Sequence, residues 1–344
     1  MKAAVLFETG QPLQIVEGIA IPDLQRGQVL VKVLYSGLCH SQLMEISGGR
    51  GEDKYLPHLL GHEGVGVVQQ IGEGVTKVQQ GDIVVIGWIK GEGLDAPGGK
   101  YPHQDYLINS GSATTLSEQT IVAENRLVKL PEGFPLKFGV LLGCALPTGL
   151  GLVFNELKPE QGKTIAVFGL GGIGLSALIA AKLSKPKQLI AIDVAEHKLA
   201  LAKELGATHC IKADQDDPVA VLKQITQGKG VDYSIEAAGT TRTIEQAFES
   251  VKDGGGRSVF ASHPPNEDKI CLEPHAFHRG KSIQGSWGGG CKPDHDIPKF
   301  VSIYHQGELP LARLLSDEYQ LDEVNQAVED LHNQKIVRAI IKTH

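Results

Sequence analysis

Three short stretches of this chain carry residue types suited to metal chemistry: Gly37-Leu38-Cys39-His40-Ser41, Gly61-His62-Glu63-Gly64-Val65-Gly66 and Gly143-Cys144-Ala145-Leu146-Pro147-Thr148-Gly149. Two thiolates and one imidazole make a three-ligand zinc site with a fourth position open to water or substrate. Zinc held in this way acts as a Lewis acid and lowers the pKa of an alcohol, so that the alkoxide can release hydride. The stretches lie far apart in the chain, so spacing alone does not gather them. A cysteine or histidine taken singly is more often a structural residue than a ligand. The five cysteines (39, 144, 210, 271 and 291) are odd in number and widely spaced, which speaks against a disulfide framework.

A hydride needs an acceptor, and a second motif offers one. Gly169-Leu170-Gly171-Gly172-Ile173-Gly174 follows the strand-forming run TIAVFG and opens an alanine- and leucine-rich helix. The first glycine permits a tight turn, the second lets backbone approach a pyrophosphate, and the third lets helix and strand pack closely. Asp193 ends the next strand at about the expected 20-residue distance. Its carboxylate can accept both hydroxyls of an adenosine ribose and repels a 2′-phosphate. No arginine stands among Val194, Ala195, Glu196 and His197 to receive such a phosphate. The expected cofactor is therefore NAD.

The elements that must carry these residues follow from the chain's texture. Residues 1–150 are rich in β-branched or alternating runs, such as Val29–Val33, Gly64–Ile71 and Ile83–Ile86, broken by glycine and proline. From Thr164 strands alternate with helices, which implies a parallel sheet covered on both faces. After Trp287 the pattern reads helix (297–305), strand, helix (321–331) and a last strand (337–342). Lys90–Thr115 shows no regular pattern and reads as a glycine-rich loop or lobe. The fold class is α/β, with a β-rich domain and a doubly wound parallel-sheet domain.

Length and composition agree with about two domains. The 344 residues include 42 glycines, against the ~24 that average usage of about 7% would give, with no repeating period. A net charge of -7 argues against nucleic acid as a partner. The start MKAAVLFETG is too briefly apolar for a signal peptide, and no run reaches about 18 apolar residues. The expectation is a cytoplasmic protein with no membrane segment.

From end to end the chain resembles the zinc-containing medium-chain alcohol dehydrogenases. MKAAVLFETGQPLQI, GHEGVG, the GC…TG block, GLGGIG and KIVRAIIK stand in family order. The resemblance implies a GroES-like catalytic domain (1–150 and 288–344) interrupted by a Rossmann domain (151–287). It implies catalytic zinc on Cys39, His62 and Cys144, with Glu63 able to approach the metal and exchange with the substrate oxygen. Ser41 matches the hydroxyl that takes the alcohol's proton, and Thr148 the residue behind the nicotinamide. His40 and Arg338 match groups at the coenzyme pyrophosphate, Lys198 a lysine at the adenosine ribose, and Trp88 an aromatic wall of the substrate pocket. For Trp88 core packing, and for Lys198 a solvated helix charge, remain open. The family pairs Rossmann sheets into dimers, sometimes dimers of dimers, so a homodimer or homotetramer is expected.

The chain also departs from the family pattern. No cysteine occurs between Cys39 and Cys144, and the segment there offers only His103 and scattered carboxylates, so a single zinc and no structural zinc is expected. Relatives often carry aspartate after the proton acceptor, where this chain has Gln42. Met44 stands where some carry a histidine that passes the proton to solvent. His263 is a weak substitute for that relay; His58, His275 and His278 are not expected to be ligands. The reaction implied is reversible oxidation of a primary or secondary alcohol to an aldehyde or ketone. A polyol or cyclitol dehydrogenase, or a zinc-free quinone or enone reductase of the same fold, are the alternatives.

Overall fold

A computed structural model describes residues 1–265, 267–315 and 318–344. The chain divides into two units: Met1–Cys144 with Lys292–Gly307 and Leu315–His344, and Ala145–Cys291 with Glu308–Leu314. These divisions fall a few residues from the expected cuts at 150 and 287, and the short return of Glu308–Leu314 to the second unit had no counterpart in the expectation.

The first unit holds two sheets among the described residues. Its spine is the strand Gln28–Leu38, where alternating Val29, Val31 and Val33 enter a core with Val68, Val84, Ile86 and Val122. This strand pairs antiparallel with Gly64–Ile71 on one side and with the final strand Ala339–Lys342 on the other. Register decides which residues meet at its end. Ser36 lies opposite Gly64 and Leu38 opposite Ala339, which brings the residues just before Gly64 and Ala339 to the end of the spine where Cys39 begins.

Lys90–Thr115, expected as a loop or lobe without regular pattern, holds regular structure. It contains an antiparallel hairpin, Lys100–His103 with Tyr106–Asn109, turning at Gln104 with φ +48°. Tyr101 and Ile108 are fully buried in it, but each strand is four residues long and one holds a proline, too short for the period to show. Nearby, the carboxylate of Glu124 accepts three backbone N–H groups, from Thr76 and Lys77 at 2.6 Å each and from Leu94 at 2.7 Å. This one side chain fastens two loops.

The second unit contains a six-stranded parallel sheet in the order His209–Lys212, Gln188–Asp193, Thr164–Phe168, Tyr233–Glu236, Arg257–Phe260, Ser282–Gly285. The order reverses beside Thr164–Phe168, the place where doubly wound sheets bind ligands. Helical turns over Leu136–Gly143 and Ala145–Leu157 were not foreseen in the sequence. Glycines at 139, 143, 149 and 151 and Pro147 disguise them, yet those glycines answer to packing. A Cβ at Gly149, for example, would lie 2.5 Å from Ser176. Among the described residues no single helix is long and apolar enough to cross a membrane.

Candidate metal centre and coenzyme-binding turn

Cys39 leaves the spine strand with φ -107° and ψ 155° and caps the helix His40–Ile46. Gln42, at the third helical position, accepts the Cys39 N–H through Oε1 at 3.0 Å. His62 is reached through Gly61, whose φ of +91° and approach to the Thr115 and Leu116 backbone exclude a side chain. Cys144 sits in an irregular conformation (φ -149°, ψ -67°) at the end of a 3₁₀ turn over Val140–Gly143. From these three separate elements the ligand atoms of Cys39, His62 and Cys144 come within 4.8 Å of one another. His62 Nε2 lies 3.3 Å from Cys144 Sγ, while Nδ1 meets the Gln42 amide nitrogen and stands 3.5 Å from Ser41 Oγ.

The charges fit a divalent cation. The contact with Cys144, followed by the Arg338 guanidinium and His62, holds the buried Cys39 thiol well below its ordinary range. The same contact, with burial, pushes Cys144 well above it, so the pair shares one proton. A coordinated metal removes that second proton outright. Glu63 is fully buried, and burial raises its pKa against the pull of Arg338. Its Oε1 accepts from Arg338 Nε at 2.8 Å and lies 2.5 Å from the neighbouring Nη2, whereas Oε2 has no hydrogen-bond partner among the described residues. A Cβ at Gly37 would lie 2.6 Å from the Glu63 carboxyl carbon, and one at Gly143 2.7 Å from its Cβ. The glycines beside the ligands thus make room for this carboxylate.

Two of the expected site residues pair with each other. Glu63, expected to approach the metal, is not among the three clustered residues, and its buried carboxylate has its counter-charge in Arg338. Arg338, expected at the coenzyme pyrophosphate, is 3% exposed and has its guanidinium on Glu63. Of the remaining site residues only Ser41 stands beside the cluster, at His62. Ser41 and Met44 are half-buried and His40 is exposed on the same helix; Trp88 is half-buried, its carbonyl accepting from Arg126. His58 is buried and committed, with Nδ1 on the Leu59 carbonyl at 2.9 Å and Nε2 on Asp53 at 2.7 Å. His103 lies in the hairpin; His275 and His278 share one short helix, and His263 packs edge-on to Trp287 at 6.2 Å.

In the second unit the glycine fingerprint has the geometry of a phosphate turn. Gly169 has φ +83°, and its Cβ would lie 2.5 Å from the Ala238 nitrogen. A Cβ at Gly174 would lie 2.9 Å from the Gly169 carbonyl carbon, whereas Gly171 faces open space. Gly172 and Ile173 start the helix Gly172–Leu183, whose free N–H groups suit an anion. Asp193, at the end of its strand, accepts the N–H of Leu170 at 2.6 Å and of Ala195 at 2.9 Å. Lys198 is half-buried on the next helix, and Thr148 is buried with no partner for its hydroxyl among the described residues. Glu236 escaped notice in the sequence. It accepts from the N–H groups of Ala238 and Gly239 (2.8 and 2.9 Å) and holds the turn against which Gly169 packs. An acidic residue at a strand end was its only signal.

Comparison with known proteins agrees with this geometry. Residues 25–132 match the alcohol dehydrogenase GroES-like domain, and residues 172–306 match the zinc-binding dehydrogenase domain. The S-(hydroxymethyl)glutathione dehydrogenases of Synechocystis sp. and Photobacterium damsela subsp. piscicida are 36% and 35% identical, over 99% of each chain. Benzyl alcohol dehydrogenase from Acinetobacter calcoaceticus superposes with a TM-score of 0.89 at 31% identity, covering 100% of this chain and 99% of its own. An alcohol dehydrogenase zinc-binding domain protein from Burkholderia ambifaria gives 0.90 at 30% identity, covering 100% and 98%. Relatives aligned along the full chain, with both domain matches in order, make this protein a member of the medium-chain, zinc- and NAD-dependent alcohol dehydrogenases.

Proposed function

We propose that the chain reversibly oxidises a primary alcohol borne on a bulky group to the aldehyde. The observation that carries the chemistry is the Cys39–His62–Cys144 cluster, with ligand atoms inside 4.8 Å. The substrate class is supported by relatives whose names specify S-(hydroxymethyl)glutathione and benzyl alcohol, both with a hydroxymethyl group on a larger body. When bound, zinc supplies a Lewis acid for the hydroxyl and NAD supplies the hydride acceptor. Ser41, half-buried beside His62, takes the hydroxyl proton. Met44 cannot carry that proton onward, so it leaves by another route.

The other residues bind and orient. Asp193 receives the ribose hydroxyls, with Lys198 beside it, and the Gly169–Gly174 turn receives the pyrophosphate. The unpartnered Thr148 hydroxyl supports a place for that residue against the nicotinamide. Arg338 balances Glu63 and the thiolates, alongside any contact with the coenzyme. Trp88 contributes a wall of the pocket. The test is a panel of primary, secondary, aromatic and polyhydroxy alcohols, followed by NADH absorbance, with zinc counted in the same sample. Hydroxymethyl substrates are expected to give the highest kcat/KM. A preference for polyols or secondary alcohols would overturn the substrate class, and full activity without zinc the mechanism.

A further inference from the structure

Gln42 is in an awkward place for a metal centre. Its Oε1 accepts the Cys39 N–H at 3.0 Å, and its amide nitrogen meets His62 Nδ1. An amide nitrogen only donates, so this arrangement needs a bare Nδ1 and leaves the neutral ring's proton on Nε2. Nε2 is the nitrogen that faces Cys144 Sγ, at 3.3 Å, and is therefore the one on the ligand side. In this tautomer it has no lone pair to give a metal.

Metal loading reverses the requirement. With Nε2 used as a ligand, the imidazole carries its proton on Nδ1, and that N–H needs an acceptor. Gln42 then stands between two donors, the N–H groups of Cys39 and His62, with one amide oxygen. Turning the amide over only exchanges which donor meets the NH₂ group. A carboxylate at the same place would accept from both. Ser41 Oγ, 3.5 Å from Nδ1, is at the outer limit of a hydrogen bond, and at 1% exposure Gln42 leaves little access for water.

Resting on the zinc reading of this site, we propose that Gln42 is a positioning residue that favours the Nε2–H form of His62, making this centre's zinc weaker-bound and more exchangeable than a carboxylate at residue 42 would allow. Loading moves one proton off Nε2 and one onto Nδ1 through solvent, so the charge of the ring is unchanged. Zinc occupancy of this chain then follows the free zinc concentration.

The test compares the wild-type chain with Gln42→Glu, which keeps side-chain length and capping position. Zinc release from the loaded full-length enzymes into a chromophoric chelator is expected to slow on the order of tenfold or more in the variant, the scale of partner changes around metal-bound histidine. In the metal-free wild-type chain, ¹H–¹⁵N spectra of the imidazoles at pH 8 should show His62 protonated on Nε2. The variant should show it on Nδ1, a change that added charge or altered folding alone would not produce. An Nδ1–H signal in the metal-free wild type would overturn the proposal, even with a variant that does not fold. So would equal or faster release from a folded Gln42→Glu. A wild-type chain that takes up no zinc at all would remove the zinc reading together with it.

Discussion

Arg338 Nε donates to Glu63 Oε1 at 2.8 Å across a separation of 275 residues, with both side chains sealed from water. Neither charge has a cheap alternative in that place. Removing one partner of a buried pair leaves the other uncompensated, at a cost of about 3–5 kcal/mol. Arg338→Leu is therefore expected to lower the urea midpoint strongly, whereas adding Glu63→Gln to it recovers part of the loss. A double variant no better than the single would show that the pair does not carry this energy.

Glu124 makes stability depend on acid. Burial would raise its pKa, but the N–H groups of Leu94, Lys77 and Thr76 outweigh burial and hold it below the usual 4.5. A depressed folded-state pKa contributes stability that is present above the unfolded value and lost as pH falls through the folded one. Glu124→Gln is thus expected to cost about 1–3 kcal/mol at neutral pH. It should also flatten the fall in melting temperature below about pH 4.5, where wild type loses this contribution. Parallel melting curves for the two proteins through that range would argue against it.

Cys39→Ser tests the metal centre without touching the coenzyme turn. Zinc content should fall to a small fraction of wild type and alcohol oxidation should vanish. NAD binding, read by quenching of tryptophan fluorescence, should persist. Undiminished turnover by a demetallated variant would defeat the zinc mechanism.

Asp193→Asn addresses coenzyme choice. Charge-assisted hydrogen bonds are worth about 1.5–3 kcal/mol, so NAD affinity should fall roughly 10- to 100-fold. Discrimination against NADP should shrink with it, since the asparagine no longer repels a phosphate. The comparison is the ratio of kcat/KM for the two coenzymes; an unchanged ratio would place the discrimination elsewhere.

Much of the site was legible because its residues stand beside glycines that local geometry requires. Gly61 and Gly169 have positive φ, and Gly37 and Gly143 leave space for Glu63. Such requirements are local, and sequence motifs record them. The Glu63–Arg338 pair was not legible as a contact, because only the pairing of Leu38 with Ala339 brings Arg338 beside Glu63. The hairpin at Lys100–Asn109 and the helical turns at Leu136–Leu157 were hidden for the opposite reason. Their strands are too short for periodicity, and their helices are too rich in glycine. Gln42 lay between these cases: the missing carboxylate was visible in the sequence, but the second donor that it must serve was not.

The final strand has a consequence for the order in which the protein is made. Cys39, His62, Glu63 and Cys144 have all been synthesised by residue 144, yet their compensating guanidinium arrives only at residue 338. Until then the spine strand has an open edge at Ser36–Leu38, where Ala339–Ile341 will pair, and the buried carboxylate has no counter-charge. A ribosome stalled before Arg338 would hold a chain with Cys39, His62 and Cys144 all made and the Glu63 carboxylate without its partner.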